Sequence, residues 1–310
     1  MTSRSKRTLL GIGECMVELA PAERGLFEVG FAGDVLNTLW YAQADFSGAA
    51  GAAWQTGFFS QVGQDDLSNQ MMDFIEAGGV DCNFVQRSNR RPGLYMIHLN
   101  AGERSFSYWR GESAARHMLD EPSLLDKALN ASGAVYLSGI TLAILSPAHR
   151  AILLDRLAIA RQQGTIVAFD PNIRPSLWET EQTMRETIMA GAAVSTLVLP
   201  SFDDEAAAFG DTDPEATANR YAASDGHTII VKNGGGAVTV KASGSGDSVL
   251  EIETPPVGNI IDTTAAGDAF NGACLAVHLK GEDIETAVRT GQACAANVIQ
   301  HRGALIPRTR

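Results

Sequence analysis

Ala134-Val135-Tyr136-Leu137, an opening at Ser146-Pro147, a stop at Gly164 and then Thr165-Ile166-Val167-Ala168-Phe169 form the stretch on which the fold turns. Short runs that are apolar throughout and bounded by turn residues predict strands buried on both faces. Between them, Ser146 offers the hydroxyl of an N-cap, Pro147 suits the first helical position and Gly164 ends the helix. A strand, a helix and a second strand in that order pair in parallel through a right-handed crossover.

The rhythm continues on both sides. Upstream, Pro122 opens a short helix, and residues 8–12 read as a strand leaving through Gly11-Ile12-Gly13. Met16 stands where the dinucleotide fingerprint needs its third glycine, so that reading fails. Downstream come a helix over residues 177–191, a strand over 196–199, helices after Ser201 and Pro214, and a strand over 228–232. The pattern predicts an α/β fold, a doubly wound, mostly parallel sheet flanked by helices. Residues 15–31 and 95–109 break it: they alternate like antiparallel strands, the second pair turning at Asn100-Ala101-Gly102. They predict a small sheet off the main layer, equally a lid over a cleft or an edge hairpin. Its open edge offers a surface for β-pairing with a second copy. No internal repeat is visible, and residues 242–248 form a Gly/Ser turn.

At 310 residues, 45% apolar and 19% charged, the chain is long and apolar enough for a sizeable core. No run approaches the roughly 20 apolar residues of a membrane helix, and the basic start around Ser3-Arg4-Ser5 leads into an apolar run that Glu14 interrupts. Neither a span nor a secretory signal is expected. A net charge of −12 opposes a nucleic-acid-binding surface, where a basic stripe is expected. The four cysteines form no C-x-x-C pair and the histidines no H-E-x-x-H, which predicts a reduced, cytoplasmic protein without structural zinc.

The chemistry gathers in Ile260-Ile261-Asp262-Thr263-Thr264-Ala265-Ala266-Gly267-Asp268-Ala269-Phe270, read as a strand passing through small residues into a helix that reaches about Leu279. Small residues at a helix N-terminus let a phosphate approach backbone N–H groups, and the helix dipole favours its charge. Asp268 reads equally as a helix-start carboxylate and as a catalytic base. A carboxylate there is expected to stay ionised and weakly basic.

Asp262-Thr263-Thr264-Ala265-Ala266-Gly267-Asp268 resembles the D-T-x-G-A-G-D signature of the ribokinase (PfkB) family of carbohydrate kinases, with Ala265 in place of its first glycine. Phe31-Ala32-Gly33-Asp34-Val35-Leu36-Asn37 resembles the family's sugar-binding G-G-x-x-x-N, one glycine again changed to alanine. Residues 13–18, Pro92-Gly93-Leu94-Tyr95, Tyr108-Trp109-Arg110, Asp170-Pro171-Asn172-Ile173-Arg174-Pro175 and residues 199–205 are similar to the 2-keto-3-deoxygluconate kinase subgroup. The resemblance implies one ribokinase-like catalytic domain over residues 1–310, with a lid from about 14–33 and 92–110. It implies transfer of phosphate from ATP, with Mg²⁺, to the 6-hydroxyl of 2-keto-3-deoxygluconate. Fructose, ribose and 2-keto-3-deoxygalactonate are alternative acceptors, and a non-catalytic sugar- or nucleotide-binding regulator is an alternative of another class.

For the site, the resemblance implies Asp268 as base, Ala265, Ala266 and Gly267 as the anion hole, and Arg174 near sugar and phosphates. Gly33, Asp34 and Asn37 would face substrate hydroxyls, with Tyr95, Tyr108 and Arg110 from the lid. Arg110 and the two tyrosines offer donors suited to the keto acid's carboxylate. As plain structure, Asn37 reads as a helix cap, the tyrosines as strand aromatics and Arg110 as a surface charge. Lys232-Asn233-Gly234-Gly235-Gly236 is similar to the family's nucleotide-side loop and also makes a hairpin turn; Asn172 is expected on that side too. Asp204 or Glu205 would hold Mg²⁺ through water, although Ser201 and the acids after it also suit a bare helix start.

Overall fold

The computed structural model describes residues 7–47, 53–100, 103–222, 226–242 and 248–306. β1 (Arg7–Ile12) leads into β2 (Met16–Pro21), β3 (Phe27–Ala32) and α1 (Asp34–Phe46). β4 (Trp54–Val62), α2 (Asp66–Ala77), β5 (Asp81–Arg87), β6 (Leu94–Asn100) and β7 (Glu103–Trp109) follow. The middle of the chain holds α3 (Pro122–Asn130), β8 (Ala134–Ser138), α4 (Gly139–Ile144), α5 (Pro147–Gln162) and β9 (Ile166–Asp170). Next are α6 (Glu181–Ala193), β10 (Leu197–Val198), α7 (Phe202–Phe209), α8 (Pro214–Tyr221) and β11 (Thr228–Val231). β12 (Val238–Ala242), β13 (Leu250–Ile252), α9 (Ala266–Leu279) and α10 (Ile284–Val298) complete the described chain.

Among the described residues one sheet has the order β13-β12-β11-β10-β9-β8-β1-β4-β5, and β3-β2-β6-β7 form a second. From β5 to β11 neighbouring strands are parallel, as the continuous apolar runs require, and β12 and β13 add an antiparallel edge. Successive side chains of β1 enter opposite cores: Leu9 packs with Val35 and Leu39 of α1 and Cys274 of α9, Leu10 with Leu125 of α3 and Leu153 of α5. Helices therefore cover both faces. The second sheet pairs β2 with β3 and β6 with β7 antiparallel, joined by a parallel β2–β6 contact. The turn residues 101 and 102, the start residues 3–6 and residues 243–247 of the Gly/Ser turn lie outside the described residues.

Two expected elements differ. The helix foreseen over 177–191 begins at Glu181, because Thr180 caps it by accepting from the Thr183 N–H, and Pro175–Leu177 form a separate 3-10 turn. The strand expected at residues 260–262 does not form. Ile260 and Ile261 are more than half or half exposed, and the Ile261 and Asp262 N–H groups donate to Ile299 O just past α10 rather than to a neighbouring strand.

Six helices are capped by a side chain at their N-termini: Asp65, Ser138, Ser146, Thr180, Asp213 and Asp283 each accept an N–H from the first turn. Of the four without one, α3 opens on Pro122, and α1, α7 and α9 begin at Gly33, Ser201 and Ala265. These three starts lie at the C-terminal edge of the parallel strands: Gly33 against Glu14 after β1, Ser201 bridged to Lys232 after β11, and α9 beside Lys232. Helix starts without side-chain caps leave N–H donors and positive dipole ends facing one region.

Candidate active site

Asp268 lies in the first turn of α9, where its Oδ2 accepts from Asn37 Nδ2 at 2.8 Å. Burial pushes its carboxyl up to about 7; the nearby Asp34 charge adds to this, and the Asn37 hydrogen bond acts against it. The expectation of a weakly basic carboxylate is corrected: the N-terminal position does not offset removal from water. Asn37 is not an entry cap, since it stands one turn inside α1, with its Oδ1 3.4 Å from the Gly33 N–H. Gly33 must be glycine at this approach, because a Cβ would lie 2.1 Å from Glu14 O. Asp34, in the first turn of α1, accepts at Oδ2 from Asn172 Nδ2 at 2.9 Å. Asn172, expected beside the nucleotide, thus joins the group around Asp268.

Ala265 adopts φ +60°, the left-handed conformation in which an alanine is strained. Of the three N–H donors expected from Ala265, Ala266 and Gly267, the one on Ala266 donates to Thr263 O at 3.2 Å and is spent within the turn. Asp262 anchors the approach, accepting from Thr264 through Oδ1 and from the Gly303 N–H through Oδ2.

Beneath this turn lies a buried polar network that no expectation contained. Lys232 Nζ donates to Asp170 Oδ2 at 2.8 Å and to Asn271 Oδ1 at 3.1 Å. The Asn271 amide nitrogen donates to Asp170 Oδ2 at 2.6 Å and approaches Tyr136 Oη at 3.1 Å. All four side chains are buried. Two signals were available: Asp170 ends a central parallel strand, and Asn271 follows Asp268 by three residues on one helix face.

On the other side of the α9 start is a cavity of about 400 Å³. Lys232, Asn233, Gly234, Gly235, Ala266 and Gly267 line it, together with apolar Val238, Pro256, Val257, Ile260, Ala296 and Ile299. Gly236 closes the β11–β12 turn behind them, its N–H donating to Asn233 O at 2.7 Å. The apolar wall went unforeseen because its residues come from three segments, none with a motif.

The lid residues form a second group. Arg110 Nη2 donates to Glu14 Oε2 and Tyr95 Oη to Glu18 Oε2. Arg110 is therefore not a surface charge: its side chain is 10% exposed and that of Glu14 2%, and Arg110 Nε and Glu14 Oε1 have no partner among the described residues. Tyr108 is half exposed, its ring 5.9 Å from that of Tyr95. Arg174 is exposed and pairs with Asp204 Oδ2 at 3.1 Å, so the structure joins two residues expected in different roles. Burial raises the Asp204 carboxyl above its ordinary value, and Arg174 opposes this. Glu205 corrects the expectation of a metal-facing carboxylate. It is fully buried, its oxygens held by Arg220 Nη2 at 2.7 Å and by Tyr221 Oη, on another face of α7 from Asp204.

The family model for pfkB family carbohydrate kinases matches residues 6–309. The chain belongs to this family. As a pfkB kinase it is 38% identical over 302 residues to a 2-dehydro-3-deoxygluconokinase of Escherichia coli (strain K12), covering 96% of each chain. It is similar to the crystal structure of a PfkB protein from Polaromonas sp. JS666, with TM-score 0.79, 26% identity and 96% of both chains covered. A fructokinase from Xylella fastidiosa, crystallised with bound ATP, shares the fold at TM-score 0.80 and 21% identity, over 96% of this chain and 94% of the other. No helix among the described residues is long and apolar enough to cross a membrane.

Proposed function

We propose that this pfkB carbohydrate kinase transfers the terminal phosphoryl group of ATP to the 6-hydroxyl of 2-keto-3-deoxygluconate, the compound that the Escherichia coli relative's name calls 2-dehydro-3-deoxygluconate. One observation carries the mechanism: the buried Asp268 carboxylate, held by Asn37, lies at the start of α9, which also borders the nucleotide-sized cavity, and burial pushes it up to about 7. ATP enters with its base against Val238, Val257 and Ala296 and its phosphates along Gly234, Gly235 and the start of α9. The sugar acid lies toward Gly33, Asp34 and Asn37, its 6-hydroxyl against Asp268. The hydroxyl oxygen forms the new bond to phosphorus as the bond to ADP breaks, and Asp268 takes the proton. A group with pKa near 7 is better matched to that proton than an ordinary carboxylate, although a loose transition state makes modest demands on the base.

Among the described residues no group of three or more His, Cys, Asp or Glu side chains forms a metal cage. The donors present fit Mg²⁺ held mainly by phosphates and water, with Asp204 beside it, and do not fit a fully protein-ligated ion. Bound there, Mg²⁺ supplies positive charge to the phosphates. Arg174 faces the same group through its pair with Asp204.

The substrate's carboxylate goes to Arg110, whose Nε is unspent, with Tyr95 and Tyr108 beside it. The four-stranded sheet acts as the lid of a single catalytic domain and closes over the sugar. Leu26, Phe27 and Val29 at its β3 edge are exposed, which supports pairing with a second copy; sedimentation velocity reads that association. Free thiols at all four cysteines support a reducing, cytoplasmic setting. A coupled ADP assay over 2-keto-3-deoxygluconate, 2-keto-3-deoxygalactonate, fructose and ribose tests the reading. A higher kcat/KM on a neutral sugar reassigns the substrate, and ADP release with none of them refutes the kinase reading.

A further inference from the structure

Asp34 and Asp170 act on Asp268, and Asp170 also acts on Asp204, so four carboxylates are linked beside the start of α9, where the terminal phosphoryl group must come if Asp268 is to meet the attacking hydroxyl. Among the described residues, two side-chain cations, Arg174 and Lys232, act on this group. Arg174 is about half exposed and already bonded to Asp204 and to Ile173 O. Lys232 is buried.

The geometry points to the Lys232 ammonium, rather than only its backbone, as a catalytic group: its third N–H reaches the transferred phosphoryl group and balances the charge that builds there. An ammonium carries three donors. Two are taken, by Asp170 Oδ2 and Asn271 Oδ1, and the third has no partner among the described residues. The ammonium lies at the wall shared by the cavity and the anion hole, where a methyl placed on Gly267 would stand 3.8 Å from Nζ, so a phosphoryl group brought to the start of α9 comes within reach of the third N–H. Its partners are themselves held on other groups. Asp170 Oδ2 also accepts from Asn271, and Oδ1 accepts from the Asn172 N–H at 2.9 Å. The Asn271 amide spends its second N–H toward Tyr136. Neither group can turn to follow the ligand, so the ammonium is held before ATP arrives, and a preorganised cation in a water-poor site stabilises developing charge most effectively. Backbone hydrogen bonds pin the root of the side chain as well: the Lys232 N–H donates to Pro200 O and the Phe202 N–H to Lys232 O, both at 2.8 Å. Lysine suits this duty as a compact point charge, whereas the arginine fork would need the room occupied by Asn271.

The inference rests on the kinase reading, and full turnover by the wild type tests that reading separately; a wild type that turns over no sugar acid overturns both. Lys232→Met is expected to lower kcat by about 10² to 10³, with the KM for ATP raised less than about tenfold and the sugar KM unchanged. Lys232 pairs with Asp170 of the sheet and acts on Asp268 of α9 and Asp204 of α7, and Asp34 of α1 acts on Asp268, so loss of the ammonium charge also moves the acid limb of kcat/KM to higher pH. Melting temperature and binding of a non-hydrolysable ATP analogue identify a folded variant. Should Lys232→Met not fold, Lys232→Ala with n-propylamine carries the test: amine restores kcat in proportion to its concentration while n-propanol does not. A Lys232→Met enzyme within about threefold of wild-type kcat, or a Lys232→Ala enzyme that propanol rescues as well as propylamine does, overturns the assignment.

Discussion

Asp268→Asn separates catalysis from stability, because the side chain that activates the hydroxyl is held against its preference for water. The carboxyl rises from an ordinary value of about 4 to about 7. A raised pKa favours the native state while the group is protonated, so the stability it allows is complete below about pH 4 and is lost as pH rises through 7. Three pH units at about 1.4 kcal/mol each give up to roughly 4 kcal/mol of native-state cost at pH 8, and some 2 to 3 kcal/mol of it accrues above pH 5. Asparagine removes the charge, keeps the shape and still accepts from Asn37. Urea unfolding of both proteins should therefore show Asp268→Asn more stable, with an advantage that grows by about 2 kcal/mol between pH 5 and pH 8. Glu205, also raised to about 7, titrates equally in both proteins and cancels in the difference. Turnover should fall by at least about 10³ while ATP and sugar still bind. An advantage independent of pH would refute the buried-base argument, and wild-type turnover would refute the assignment of the base.

Arg110→Ala should lower kcat/KM on 2-keto-3-deoxygluconate by about 10- to 100-fold and leave fructose, which has no carboxylate, within roughly threefold. Equal losses on both would remove Arg110 as the carboxylate reader. Ala265→Gly, at φ +60°, should raise stability by about 1 kcal/mol in urea melts; a destabilised variant would mean that the methyl's packing against the lid cluster outweighs backbone strain. Ala296→Trp should fill the cavity wall and raise the KM for ATP by about tenfold or more, with the sugar KM unchanged in the same coupled assay.

Local rules were enough for the parallel layer. Ser146, Pro147 and Gly164 bound α5 as their chemistry requires, and the apolar runs at β8, β9 and β11 became strands buried on both faces. The start of α9 and its acid were legible for the same reason, since small residues before a helix act within one turn. The misread pieces were those whose partners lie outside their own element: Ile261 and Asp262 hang by their N–H groups from Ile299, and the Glu205 side chain turns to Arg220 and Tyr221 of α8.

What the amino-acid order determined by itself is the alternation of elements, the signature at residues 262–268 and the acid that ends it, because periodicity, capping and small-residue spacing are local properties. Only the tertiary structure decided which groups share a site. It set Asn37 on Asp268 across 231 residues and Asp170 on Asn271 across 101, and it buried Glu14 against Arg110. Burial and long-range proximity depend on how the layers close, and burial together with the Asp34 charge, against the Asn37 hydrogen bond, turns an ordinary carboxylate into a base matched to neutral pH.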